Sequence, residues 1–276
     1  MRWLLAIVIL LLLALTLWQF DGETLLHSFG EVPLWLMFFL IFLQIISQLL
    51  INFLWYNIAN LTGMTISFSK MLYVNCQGAV MDAITPGVKF GGEVTRAVQI
   101  SRATGCSKEQ AASVVALQKV FSLSSLFVVL VFTVGFIDYA VFVFAALPLL
   151  IALLVWRFRK QLALIRKRNW LSLLALSFLI WLMYPLKLYL LTRQFADVSV
   201  FSVGSAGFAA YMVAMLPIFP GGLGGFEGTL SGLLVHLGFE LNNAVAATIL
   251  FRFVTFWAVM LGSLIYIGLK RGWLRE

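Results

Sequence analysis

Long unbroken apolar runs constrain this chain more than any other feature. Six of them cover residues 2–20, 32–58, 109–135, 139–156, 170–192 and 242–268. Crossing about 30 Å of hydrocarbon takes about 20 helical residues, so each run is a candidate membrane span. Two further stretches, 71–86 and 201–219, are shorter or broken by glycine, proline and polar residues. Composition leads the same way. The chain is 62% hydrophobic and 11% charged, whereas soluble domains are about 45–50% apolar and about 25% charged. Too few polar residues remain to cover a water-facing surface. The expected fold is therefore an all-α polytopic membrane protein forming a single integral membrane domain over 1–276. The first run follows Met1-Arg2 but lacks a small-x-small cleavage site before the acidic loop, so it reads as an uncleaved helix.

Charge then gives orientation. The net charge of +8 would suit nucleic acid if it were spread over a surface, but the cations gather in short loops. Arg157, Arg159, Lys160, Arg166, Lys167 and Arg168 crowd one connection, which the positive-inside rule places in the cytoplasm. Arg2, Lys270, Arg271 and Arg275 put both termini on that side. The first loop carries Asp21, Glu23 and Glu31 without a cation and fits the outside. A bacterial or archaeal cytoplasmic membrane is the expected location.

Threading the spans through these constraints makes 71–86 a re-entrant element on the inner side, followed by a polar cytoplasmic stretch over 89–108. Segment 201–219 becomes a re-entrant element on the outer side. Each half, 1–138 and 139–276, then reads as two spanning helices, a re-entrant or broken element and a third span. The second half starts from the opposite face. The expected architecture is an inverted-topology repeat.

A duplicated motif supports that reading independently. TPGVKFGGE runs from Thr85 to Glu93, and FPGGLGGFE from Phe219 to Glu227. Both place Pro-Gly five residues before a glutamate, at Pro86-Gly87…Glu93 and Pro220-Gly221…Glu227. Lys119 and Arg252 follow at matching distances, as do Gly105 and Gly238.

Irregular backbone at membrane depth survives only where protein buries it or where it lines a wet cavity. Paired breaks in two repeats are how inverted secondary transporters build a midplane site. Gly91, Gly92, Gly222, Gly224 and Gly225 would let the backbone turn tightly or approach another surface; close helix packing is the alternative use of such glycines. The helix after each break offers N–H groups and a positive dipole end suited to phosphate. Arg252 lies deep in the last span, where a lone charge costs at least about 2.5 kcal/mol. Glu227 is its expected partner, with Lys119 and Glu93 as the mirrored pair. Either basic residue could instead receive a lipid phosphate. Asp82 reads equally as a carrier of a coupling proton or as a partner of Lys89. Arg96 reads as a headgroup contact or a positive-inside anchor, and Lys187 as a side chain snorkelling to the outer interface. Cys76, Cys106, His27 and His236 stand apart from one another, so neither a metal nor a cofactor is expected.

The segment LPIFPGGLGGFEGTL (Leu216 to Leu230), with AATILFRF (Ala246 to Phe253), resembles the family named for the transmembrane region of lysylphosphatidylglycerol synthase, also called the flippase-like domain family. TPGVKFGGEVTRAVQISRATGCSKEQA (Thr85 to Ala111) resembles that family's other signature. The resemblance implies a lipid-translocating domain, and a stand-alone one, since the soluble synthase domain of fused members has no counterpart here. Family members usually carry an acidic-Arg pair and a following Asp in the helix after the first motif. Here that helix has Gln118, Lys119 and Ser122, which keeps the charge and loses its acidic neighbours.

The expected function is a flippase for an anionic or headgroup-modified lipid, either a phospholipid or a polyprenyl-phosphate-linked one. The expected partners are a membrane lipid and, in addition, a second copy or a lipid-modifying enzyme, without nucleic acid. The alternatives are an integral-membrane enzyme of lipid or lipid-linked sugar modification and a non-catalytic partner of such an enzyme. An enzyme would need acid–base groups in one site, and only Asp82, Glu93 and Glu227 are available.

Overall fold

A computed structural model describes residues 22–85, 90–133, 140–215 and 221–270. The described residues are helical, joined by short turns. In chain order the helices are α1 (Gly22–Gly30), α2 (Leu34–Leu61), α3 (Phe68–Ile84), α4 (Phe90–Thr104), α5 (Lys108–Thr133) and α6 (Ala140–Arg157). They continue with α7 (Arg159–Leu164), α8 (Lys167–Thr192), α9 (Val200–Ala214), α10 (Gly225–His236), α11 (Leu241–Arg252) and α12 (Ala258–Leu269). A π-helical turn, Phe253–Trp257, joins the last two into one continuous rod. Among the described residues four segments are long and apolar enough to cross a membrane: Leu34–Leu61, Lys108–Val131, Lys167–Thr192 and Leu241–Leu269. The expected span at 2–20 lies outside the described residues.

Four helices of each half correspond in order. Helices α2, α3, α4 and α5 begin at Leu34, Phe68, Phe90 and Lys108; α8, α9, α10 and α11 begin 132 to 135 residues later. The packing partners correspond too. Helix α3 lies against α4 and α4 against α5, as α9 lies against α10 and α10 against α11. Each half sends a helix into the other, α5 to α9 and α12 to α3, while α2 and α8 pack together along the seam.

One expectation needs correcting. The polar stretch over 89–108 is mostly helix, because Phe90–Thr104 folds back onto α3 as a helical hairpin. Its low hydrophobicity does not send it to water: Glu93 and Arg96 find ion-pair partners in the neighbouring helices. The broken element of the first half is thus a helix pair, α3 with α4, as α9 with α10 is in the second.

Two large apolar cores, each drawing on helices of both halves, hold the described residues together. One gathers Leu54, Ile58, Met71, Ile100, Leu117 and Phe121; the other gathers Leu36, Leu188, Phe226, Leu230 and Phe251. Lipid tails are as apolar as leucine, so close packing rather than escape from water holds such helices together. The buried run Gly204, Ser205, Ala206 and Gly207 on α9 and Ala244, Ala246 and Ala247 on α11 supply the small residues that close approach requires. Large side chains face outward along α2, where Leu34, Phe38, Phe42 and Ile45 are exposed, as a lipid-facing stripe would be.

Candidate functional site

A cavity of about 270 Å³ lies between the halves. Helices α2, α3, α4 and α5 of the first half line it together with α8, α9, the Gly221 turn, α10, α11, the π-helical turn and α12 of the second. Among the described residues four cations reach its wall: Arg96, Lys119, Lys187 and Arg252. Three of the four have a carboxylate partner.

Arg252 is 8% exposed and closes α11 just before the π-helical turn. Its Nε donates to Glu227 Oε1 at 2.8 Å, and a terminal nitrogen donates to the Gly221 carbonyl at 2.9 Å. The guanidinium also lies over the rings of Phe226 and Phe256, 4.9 and 4.3 Å from their centres. Such contacts stabilise a desolvated cation by roughly 1–2 kcal/mol each. Glu227 Oε2 accepts from the Gly224 N–H at 2.7 Å. One glutamate thus caps α10 and anchors α11.

The mirrored pair also forms, between Lys119 Nζ and Glu93 Oε1. Capping differs between the halves. At α4 the cap comes from α3, where Asp82 Oδ1 accepts from Gly92 N–H at 3.0 Å and Oδ2 from Arg96 at 3.1 Å. Arg96 Nε donates to Asn75, Asn75 donates to Asn52, and Asn52 donates to the Phe68 carbonyl, so the network runs from α4 through α3 to α2.

Several expectations change on this geometry. Asp82 takes Arg96 as a partner, and Lys89 lies outside the described residues. Arg96, with 12% of its side chain exposed, is partly buried and bridges α4 to α3 through Asp82 and Asn75. Near the start of each helix that follows a break, an N–H is already bonded to a carboxylate of this chain, which displaces phosphate from that position. Lys187 does not snorkel outward. It is 3% exposed, with Nζ donating to Gln44 and to Ser47 Oγ, the latter at 3.1 Å. Of the described motif glycines Gly91, Gly92, Gly221, Gly222 and Gly224, only Gly221 lines the cavity. A Cβ on Gly92 would stand 2.2 Å from the Asp82 carboxylate. Gly221 has φ +59°, and a Cβ there would stand 2.7 Å from the Ala83 carbonyl. Its N–H donates to the Thr85 carbonyl at 3.3 Å, so the two breaks touch each other across the halves. Pro86, Gly87, Lys89 and Pro220 lie outside the described residues.

Lys187 and its partners Gln44 and Ser47 are site residues that sequence reasoning missed. A signal was present: Gln44, Ser47 and Gln48 put three polar side chains at i, i+3 and i+4 on one face of an otherwise apolar span. All three line the cavity.

The model for the lysylphosphatidylglycerol synthase TM region matches residues 3–263. The chain belongs to that family. Two archaeal relatives are described only as UPF0104 membrane proteins. One, from Methanothermobacter thermautotrophicus, is 30% identical over 87 residues, covering 31% of this chain and 26% of that protein. The other, from Pyrococcus horikoshii, is 32% identical over 104 residues, covering 37% of this chain and 31% of that protein. The chain therefore aligns with less than a third of the length of either relative. Family and helices together make this a multi-pass membrane protein.

Proposed function

We propose that this protein translocates an anionic or headgroup-modified lipid, a phospholipid or a polyprenyl-phosphate-linked one, through the cavity between its halves. The observation that carries the reading is the cavity wall itself. Arg252 from one motif-bearing half and the Glu93–Lys119 pair from the other face a single space inside an apolar helical shell. A charged wall at membrane depth is costly, and it is useful where a polar headgroup must cross while its tails stay in lipid. Contact between the two breaks through Gly221 and Thr85 suits a joint on which one half rocks against the other in alternating access. Both termini then face the cytoplasm, in the orientation that the basic loop demands.

A transporter fits this wall better than an enzyme does. Acid–base catalysis needs groups within reach of a substrate proton, whereas Asp82, Glu93 and Glu227 are each engaged by a cation of the chain. The testing experiment measures headgroup accessibility of fluorescent lipids in proteoliposomes, with Glu227→Gln and Arg252→Ala beside the intact protein. Translocation that both substitutions abolish in folded, monodisperse protein supports the reading. Folded intact protein that moves no member of a panel of anionic phospholipids and polyprenyl phosphates refutes it.

A further inference from the structure

The geometry points to a second, distinct element of the cavity: a phosphate-binding site formed by Lys187 and Tyr184 on α8 with Gln44 and Ser47 on α2. This inference rests on the translocation reading and names the group that the cavity holds. Among the described residues no carboxylate lies within 4.0 Å of Lys187, whereas Arg96, Lys119 and Arg252 each have one. Its buried ammonium meets only neutral oxygens, those of Gln44 and Ser47. The Ser47 hydroxyl donates its own proton to the Leu43 carbonyl and so receives Lys187 as an acceptor. Two of the three ammonium N–H groups are thus accounted for, and the third is available to a ligand.

A second, independent observation lies one turn away. Tyr184, three residues before Lys187 and therefore on the same face of α8, also lines the cavity. Its hydroxyl oxygen is buried and has no hydrogen-bond partner among the described residues. A buried hydroxyl left unpaired is destabilising, and so is an ammonium without a counter-charge at this depth. One anion in the cavity satisfies both. A phosphodiester has the matching chemistry, because it carries one negative charge, which balances Lys187, and two unesterified oxygens. One oxygen would accept from the ammonium and the other from the tyrosine hydroxyl. A volume of about 270 Å³ leaves room for a headgroup.

The test is calorimetric binding to the full-length protein in detergent, using three probes: dihexanoyl phosphatidylglycerol, glycerol 3-phosphate, and dihexanoylglycerol, which lacks the phosphate. Lys187→Met should weaken the phosphatidylglycerol by about tenfold or more, the usual scale for a hydrogen bond to a charged group. Lys187→Arg should retain most of the affinity, and Tyr184→Phe should lose several-fold through one oxygen atom. Dihexanoylglycerol should show no dependence on Lys187. Unchanged phosphatidylglycerol affinity in a monodisperse Lys187→Met protein overturns the site. Equal dependence on Lys187 for the phosphate-free probe does so as well. Glycerol 3-phosphate binding as tightly as the lipid, with the same dependence, overturns the lipid source and leaves a soluble phosphate ester as the ligand. Translocation assays separate the two readings. Intact transport by Lys187→Met sinks this site alone, whereas Lys187-dependent binding in a protein that moves no lipid sinks the transporter.

Discussion

Glu227 and Arg252 meet at 2.8 Å with about a tenth of each side chain exposed, and the same carboxylate holds the Gly224 N–H at 2.7 Å. The ion pair therefore ties the broken segment of the second half to the last span. Removing one partner strands the other charge in a low-dielectric wall, which typically costs about 3–5 kcal/mol.

Glu227→Gln should accordingly destabilise the protein by about that much, read as thermal or denaturant unfolding in detergent. Arg252→Gln should cost a similar amount. The double variant should be more stable than the sum of the two predicts, because it leaves no unpaired charge. Strict additivity would show that the pair is not coupled.

Gly92→Ala should disrupt the first half by a different route. The added methyl would stand 2.2 Å from the Asp82 carboxylate, displacing it from the Gly92 N–H and from Arg96. Overpacking of this kind costs about 1–3 kcal/mol. Gly228→Ala is the control: a Cβ there meets nothing within 4 Å, so it should be neutral or slightly stabilising in the same unfolding assay.

Cavity residues should be wet and lipid-facing ones dry. With Cys76 and Cys106 replaced by alanine, Ala79→Cys on the cavity wall should react with a water-soluble maleimide far faster than Phe38→Cys. Phe38 is 71% exposed, on the outward apolar stripe of α2. Added anionic lipid should slow labelling at 79 alone. Equal rates at the two positions would argue against a hydrated cavity.

The inversion expected from the charge pattern makes a topological prediction. The α2–α3 connection at Gly63 and the α8–α9 connection at Asp197 occupy corresponding places in the two halves. Single cysteines there should be labelled from opposite faces of sealed vesicles, with position 63 on the side of the basic loop at 157–168. Labelling from the same face would remove the inversion.

Much of this molecule was legible before its tertiary structure. Apolar length dictates helices that cross hydrocarbon, since a backbone in lipid must satisfy its own hydrogen bonds. The repeated Pro-Gly…Glu spacing, with Lys119 and Arg252 at matching offsets, identified both ion pairs. That inference works because a charge at membrane depth has few partners and cannot remain alone. What only the tertiary structure decided was the direction in which side chains point. Lys187 reads as an interfacial snorkel from its place near a span's end, yet packing against α2 turns it toward Gln44 and Ser47. Asp82 could have met Lys89 or a proton, and the fold of α4 back onto α3 delivers Arg96 to it. Helices that are apolar nearly all round carry little periodic record of which face turns inward. Helix contacts between residues far apart in the chain set that face, and with it the composition of the cavity wall.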